Sequence, residues 1–311
     1  MISSAENSKP KIHTLDLNFL GLPGTIAAYL IPHSDGAVLI ESGPGSTIST
    51  LEQALSVHHL VVSDISDVFL THIHLDHAGA AGWLARQGAR IHVHPAGAPH
   101  LLNPEKLLAS AERIYGEQMQ TLWGDFLPVP EDKLSIMEDQ AEVEFRNFSI
   151  RAIDTPGHAN HHYAYIIGNS CFSGDIGGVR MQALQHLRIP MPPPEFHLET
   201  WRASIQKLLH EHKKGAFEQI APTHFGVFDD PEWHLNSVIK SLNEIEVWLL
   251  KTMPSQPELV EINQQFLQWT NERSAEEGLT QEHIQAYEAA NPSWMSAAGM
   301  QRYWRKYREA I

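Results

Sequence analysis

Short apolar runs of strand length alternate with helical patterns over the first 230 residues. The apolar runs 26–31 and 37–40 flank Ser34-Asp35-Gly36, a tight-turn sequence, and therefore predict a β-hairpin. This alternation of strand and helix patterns is typical of an α/β fold. Further strands are expected over 67–71, 90–94, 148–153, 163–167 and 170–173, and helices over 47–57, 78–87, 105–123 and 198–209.

After residue 230 the pattern becomes entirely helical. Asp230-Pro231 places a helix N-cap before proline at the first helical position, and Ser255 with Glu258 resembles a capping box. We therefore expect an α/β domain over 1–230 and a helical extension over 231–311. The first of these helices has apolar residues with a helical period at Leu235, Val238, Ile239, Leu242, Ile245 and Leu249. We interpret four tryptophans as packing anchors, namely Trp233, Trp248, Trp269 and Trp294.

Composition narrows the class of protein. The chain has 311 residues, 42% of them hydrophobic and 19% charged, which is typical of a globular protein. Its formal net charge of −15 disfavours nucleic acid and anionic membrane surfaces as partners. Cys171 is the single cysteine, the polar start lacks the apolar segment of a secretory signal, and no apolar run reaches the roughly 18 residues of a membrane span. These features predict a cytoplasmic protein without membrane segments.

Histidine is unusually frequent, with 20 residues against 22 lysines and arginines, and four ligand-type side chains cluster in Thr71-His-Ile-His-Leu-Asp-His77. In an extended segment residues i and i+2 point to the same side, so His72 and His74 can address one metal ion. If a helix begins near Asp76, then Asp76 and His77 face a neighbouring point. The segment therefore predicts two adjacent metal sites.

Three further candidates each follow a strand pattern, namely His158, Asp175 and His224. Strand ends in a layered α/β fold converge on one edge, and the neighbouring Gly or Pro allows a close approach of each loop. Together the seven side chains supply nitrogen and oxygen donors that suit zinc, iron or manganese.

These residues resemble the hallmark of the metallo-β-lactamase superfamily, His-x-His-x-Asp-His followed by separate His, Asp and His ligands, and most resemble its glyoxalase and lactonase-like branch. The resemblance covers about residues 12–230. It implies an αββα sandwich with a two-metal site at one edge of the paired sheets. By this resemblance, the ligands of the first metal are His72, His74 and His158, those of the second are Asp76, His77 and His224, and Asp175 bridges the two.

The chain departs from the family where Glu41-Ser42-Gly43 replaces the usual Asp-Thr-Gly, and we expect Glu41 to orient a ligand or a loop. His161, His162 and Arg180 lie between ligand segments and are candidate substrate-binding residues, with the stretch 190–196 as a candidate wall. His92 and His94 form a second His-x-His, but no Asp-His follows them, so they are not expected to bind metal.

The resemblance implies a binuclear hydrolase that binds two divalent metal ions, with zinc expected first and iron or manganese as alternatives. A metal-bridging hydroxide would attack the carbonyl of a small ester, thioester or lactone, and Asp76 would act catalytically by shuttling the proton. The expected partner is a small-molecule substrate rather than nucleic acid or membrane. The C-terminal helices could cap the site or join a homo-oligomer.

Other activities of the superfamily compete with this prediction. Secreted zinc β-lactamases with a cysteine ligand match poorly, because Asp175 occupies that position and Cys171 lies four residues earlier. The main alternative is a mononuclear iron oxidoreductase of the persulfide dioxygenase type. His224 and the full second ligand set favour two metals.

Overall fold

Two β-sheets form the centre of the fold in a computed structural model that describes residues 10–181 and 184–309. Within those ranges the sheets have the orders β1-β2-β3-β4-β5-β6 and β11-β10-β9-β8-β7. The strands are β1 (His13–Asp16), β2 (Ala27–His33), β3 (Gly36–Ile40), β4 (Ile65–Phe69), β5 (Arg90–Val93), β6 (Leu134–Ile136), β7 (Glu142–Glu144), β8 (Ser149–Asp154), β9 (Tyr163–Ile167), β10 (Ser170–Phe172) and β11 (Gln219–Ala221). The predicted hairpin is the antiparallel pair β2 and β3.

Alternating side chains on the strands separate the layers. On β2, Tyr29 and Ile31 point between the sheets, whereas Ala28 and Leu30 belong to the apolar cluster on the outer face of the first sheet. On β9, Tyr165 and Ile167 likewise point inward, whereas Ile166 joins the cluster on the outer face of the second sheet. Each sheet is therefore buried on both faces, as the period of two in a strand requires.

Helices cover both outer faces. They are α1 (Ile48–Val57), α2 (Leu75–Ala78), α3 (Ala81–Arg86), α4 (Ala98–Leu102), α5 (Glu105–Tyr115), α6 (Met119–Trp123), α7 (Leu198–Lys213), α8 (Pro231–Thr252), α9 (Leu259–Glu276), α10 (Gln281–Ala290) and α11 (Ser293–Tyr307). Leu51 of α1 and Leu84 of α3 pack on the first sheet, and Trp201 and Ile205 of α7 pack on the second. This arrangement confirms the predicted αββα sandwich with a C-terminal helical extension.

The extension shares its apolar core with the second sheet. Buried side chains of α8 and α11, among them Leu242 and Met300, lie in the same cluster as Ile220 of β11 and Leu208 of α7. The division into 1–230 and 231–311 stays a prediction, and residues 1–9 and 310–311 of those ranges lie outside the described residues. No helix in the described part of the chain is long and apolar enough to cross a membrane.

Two predicted helix details are wrong. The stretch 105–123 is not one helix, because Gly116 adopts a φ of +53° and a 3₁₀ turn separates α5 from α6. The capping box lies three residues further on than Ser255 and Glu258. Glu258 is the N-cap of α9, and the Glu261 side chain accepts a hydrogen bond from its backbone N–H.

Gly299 of α11 lies directly against the backbone of the loop that follows Arg188. A Cβ at Gly299 would lie 1.9 Å from the carbonyl oxygen of Met191, so the helix and the loop would have to separate. We expect Gly299→Ala to lower the free energy of unfolding by about 1–3 kcal/mol, the usual cost of overpacking. Denaturant unfolding measures this change. Ala298→Ser on the same helix is the control, and an equal loss in both variants would contradict the packing argument.

Candidate metal centre

The strand ends of both sheets bring the ligand-type residues together. His72 and His74 follow β4, Asp76 and His77 lie in α2, and Asp175 lies in the 3₁₀ turn after β10. His158 and His224 follow β8 and β11. Because β8, β10 and β11 run in the same direction, their carboxyl ends meet at one edge of the sheet.

Three imidazole nitrogens converge at the first site. His74 Nδ1 lies 2.9 Å from His72 Nε2 and 2.9 Å from His158 Nε2. The Nδ1–H of His158 donates to the carbonyl of Pro190 at 2.9 Å, so its Nε2 presents a lone pair. One proton on His74 Nδ1 can serve only one of its two neighbours, whereas a cation between the three nitrogens would be bound by all of them.

The second group shares Asp175 with the first. Asp175 Oδ1 lies 3.2 Å from His77 Nε2 and 3.4 Å from His224 Nε2, while its Oδ2 lies 3.3 Å from His158 Nε2. Asp76 Oδ2 lies 3.5 Å from both His77 Nε2 and His224 Nε2. One carboxylate thus faces both groups, with one oxygen toward each.

The donor set fits divalent metal ions. His77 Nε2 and Asp175 Oδ1 are buried and have no hydrogen-bond partner among the described residues, although buried polar atoms are normally paired. Candidate metal-binding groups, each with its ligand atoms within 4.8 Å of one another, are His72, His74 and His158; His72, His77 and Asp175; and Asp76, His77 and His224. The structure therefore brings together all seven predicted ligands.

Glu41 is linked by hydrogen bonds to both candidate ligand groups. It is 0% exposed, and its Oε1 accepts hydrogen bonds from Thr71 Oγ1 at 2.5 Å, Thr223 Oγ1 at 2.9 Å and His77 Nδ1 at 2.9 Å. Since Thr71 Oγ1 donates to Glu41, it can accept from His72 Nδ1, 3.0 Å away. The backbone of Glu41 has a φ of +69°, a conformation that costs about 1–3 kcal/mol and persists only where surrounding contacts impose it.

Backbone carbonyls also orient His158 and His224. The Nδ1–H of His224 donates to the Thr25 carbonyl at 2.6 Å, in the same way that His158 donates to Pro190. A histidine whose one nitrogen donates to a carbonyl or carboxylate presents the lone pair of the other, which is how proteins orient metal-binding imidazoles. The sequence predicted these ligands but not the carbonyls that orient them.

The two groups of candidate ligands differ in their electrostatic surroundings. Burial, followed by the neighbouring imidazoles, lowers the pKa of His72 and His74 well below its usual value, so both are neutral. Burial alone would lower the pKa of His77, but Asp76, Asp175 and Glu41 raise it well above its usual value. These carboxylates therefore favour positive charge at the point where a cation would bind.

His161 and His162 have different surroundings. His161 lies in the cavity wall, where its Nε2 is 3.2 Å from Glu195 Oε2, and burial lowers its pKa to about 4. His162 is fully buried beneath the centre, where it accepts a hydrogen bond from the Ile176 N–H at 3.3 Å. A Cβ at Gly174 would lie 2.7 Å from His162 Nε2, so this turn requires glycine to bring Asp175 to the site.

Arg180 does not line the cavity. Its guanidinium makes two hydrogen bonds to the Asp230 carboxylate, at 2.6 and 2.9 Å, and lies 3.9 Å from the centre of the Phe228 ring. The His-x-His of His92 and His94 also lies outside the centre, because His92 Nε2 is bound 2.7 Å from Asp67 and His94 Nε2 lies 3.3 Å from Asp154. Sequence spacing alone could not locate these acidic partners.

A cavity of about 570 Å³ opens above the ligand groups. The stretch predicted as a wall contributes residues 190–195, and α5 and α6 contribute a second wall. Residues 288–292, Trp294 and Met295 of the extension complete it. Trp294, predicted as a packing anchor, packs its ring 6.0 Å from that of Tyr115, but the residue is 40% exposed and also borders the cavity.

Comparison with known proteins identifies related sequences. The family model described as "Metallo-beta-lactamase superfamily" matches residues 21–216, more than half of the chain. The metallo-beta-lactamase fold-containing protein ST1585 of Sulfurisphaera tokodaii is 24% identical over 200 residues, which span 63% of this chain and 72% of that protein.

Solved structures share the fold. The crystal structure of ST1585, described as an archaeal metallo-beta-lactamase superfamily protein from Sulfolobus tokodaii, has a TM-score of 0.66 at 18% identity and covers 94% of this chain and 99% of that chain. The metallo-beta-lactamase family protein TTHA1429 from Thermus thermophilus has a TM-score of 0.69 at 18% identity and covers 95% of this chain and 93% of that chain. At these coverages the similarity extends beyond residue 230 into the helices of the extension.

We expect Glu41→Gln to weaken metal binding about 10- to 100-fold, because a neutral amide oxygen is a weaker acceptor for the His77 Nδ1–H than a carboxylate, and the amide NH2 would face the Thr71 N–H that Glu41 Oε2 accepts at 3.3 Å. Competition with a chromophoric chelator measures the affinity. Thr223→Ser, which keeps its hydroxyl donor, should change the affinity far less. Unchanged affinity in a folded Glu41→Gln protein would show that Glu41 does not orient the ligands.

Proposed function

Because the chain belongs to the metallo-beta-lactamase superfamily, we propose that it is a binuclear metal-dependent hydrolase acting on the carbonyl of a small ester, thioester or lactone. One observation supports the proposal above all others. Asp175 directs one carboxylate oxygen toward His77 and His224 and the other toward His158, as a ligand shared by two ions would.

In this proposal each group of ligands holds one divalent cation. His72, His74 and His158 would hold the first, Asp76, His77 and His224 the second, and Asp175 both. Zinc suits this set of imidazole and carboxylate donors, as do iron and manganese. When bound, two such ions would supply a hydroxide nucleophile at neutral pH and polarise the substrate carbonyl.

Asp76 is the residue proposed to move the proton. Its side chain is 23% exposed and borders the cavity, whereas that of Asp175 is 5% exposed. Burial alone would raise the pKa of the Asp76 carboxyl, but His77 and His224 lower it well below its usual value, so the group is an ionised acceptor. A carboxylate at this position can take a proton from the nucleophile and return it to the leaving group.

The buried charges support two cations rather than one. Asp76, Asp175 and Glu41 together carry three negative charges and a hydroxide would add a fourth, so two divalent ions would leave the site about neutral (4 − 4). With one ion the same groups would leave about two negative charges in a site where Asp175 and Glu41 are buried.

The metal content and a ligand variant series test the proposal. We expect about two metal ions per chain by elemental analysis, with hydrolysis of a thioester, ester and lactone panel that is lost on chelation and restored by metal. His74→Ala and Asp175→Ala should each reduce hydrolysis by more than the roughly 10- to 100-fold effect of losing a supporting hydrogen bond. Circular dichroism should show that both variants remain folded.

His94→Ala is the matched control, since it removes a histidine of the other His-x-His, whose Nε2 lies 3.3 Å from Asp154. It should keep both metals and full hydrolysis. A fully active Asp175→Ala variant would contradict the binuclear assignment. One iron per chain, no hydrolysis and oxygen uptake with a persulfide would instead identify a mononuclear oxidoreductase.

A further inference from the structure

We propose that the substrate carries a medium-length apolar chain, which binds in the cavity between α5 and α6 on one side and the first turn of α11 on the other. This inference rests on the proposed hydrolysis for the position of the carbonyl. That the substrate has an apolar chain is inferred from the walls of the cavity, which belong to segments far apart in the sequence.

The cavity has two chemically different regions. Its floor holds ligand-type groups of both sites, including His74, Asp76 and Asp175. Its volume of about 570 Å³ lies within the range of small-molecule sites. Apolar residues form most of the rest of the lining, among them Phe19, Leu107, Ile114, Trp123, Trp294 and Met295.

One face of α5 forms a continuous apolar wall. Leu107, Ala111 and Ile114 are spaced by four and three residues, the spacing that places side chains on one side of a helix, and all three border the cavity. Leu107 and Ala111 also pack against the apolar cluster of the first sheet, so this wall is held by the core of the domain.

Tyr115 joins the two walls. Its ring centre lies 5.0 Å from that of Trp123 and 6.0 Å from that of Trp294, and its hydroxyl lies 3.7 Å from Met295 Sδ. Tyr115 and Trp294 line the same cavity as Asp76. An apolar chain attached to a carbonyl at the ligand groups would therefore enter this aromatic wall.

The charges in the lining disfavour a strongly charged substrate. Among the described residues that border the cavity, Lys106 is the single lysine or arginine, and it is exposed. A group with several negative charges would leave water for apolar walls without paired cations, which is unfavourable. An alkyl or acyl chain would instead remove apolar surface from water and cover Trp294.

Two series of esters test the inference. One varies the acyl chain from two to twelve carbons with a fixed alcohol, and the other varies the alcohol with a fixed acetyl group. In at least one series kcat/KM should rise about fourfold per added methylene, as transfer of that group from water predicts, and then level off when the cavity is full.

A larger side chain in the wall should change the substrate chain length at which kcat/KM levels off. Ser110 borders the cavity, whereas its neighbour Ala109 on α5 is exposed and does not. We expect Ser110→Phe to shift the levelling-off toward shorter chains and the matched control Ala109→Phe to leave the profile unchanged. A profile that shifts equally in both variants would contradict the assigned wall.

Binding without turnover separates this inference from the proposed hydrolysis. Calorimetry with straight-chain carboxylates of four to twelve carbons should give affinities that rise with length and a heat-capacity change that becomes more negative. Such binding without hydrolysis of any substrate would overturn the proposed function and support the apolar chain site. If hydrolysis and binding were both independent of the length of the apolar chain, the proposed site for that chain would be overturned and the proposed hydrolysis would stand.

Discussion

The arrangement of the site depends on one buried carboxylate, that of Glu41 at the end of β3. Through Thr71 it reaches His72 of the first ligand group, and through its own oxygen it holds His77 of the second. Thr223, beside His224, donates to the same oxygen. One acceptor therefore fixes the relative positions of three strand ends from both sheets. Its left-handed backbone conformation is tolerated because these donors would otherwise be buried without partners.

The same arrangement places three carboxylates close together, and their negative charge has to be compensated. Burying Asp76, Asp175 and Glu41 in the space of a few side chains is costly unless cations or hydrogen-bond donors compensate each of them. Protonation of His77 offsets part of this charge, as the raised pKa of His77 indicates. Metal ions would displace that proton and compensate the carboxylates more fully, so metal binding and the stability of this edge are expected to be coupled.

The sequence identified the candidate ligands that the structure brings together because each of them is defined locally. His72, His74, Asp76 and His77 occur within six residues, and His158, Asp175 and His224 each follow a strand pattern that can be recognised without the fold. Residues 190–196 were a candidate wall from the sequence, but the contact between α5 and the extension could not be predicted in this way. Tyr115 and Trp294 meet only after the extension packs onto the sandwich, and no periodicity relates them. Arg180 was misplaced for a similar reason, since its position depends on Asp230 and Phe228.

The floor and the wall of the cavity are held by separate interactions. The floor depends on Glu41 and the strand ends, whereas the wall depends on the extension, where Glu288 accepts from Arg188 at 3.1 Å and from the Ser293 backbone at 2.7 Å. These bonds join α10, the start of α11 and the chain before residue 190. A change in the wall can therefore alter which substrates fit while the ligand groups keep their positions. Under the proposed function, the chemistry and the selection of the substrate would therefore depend on different parts of the chain.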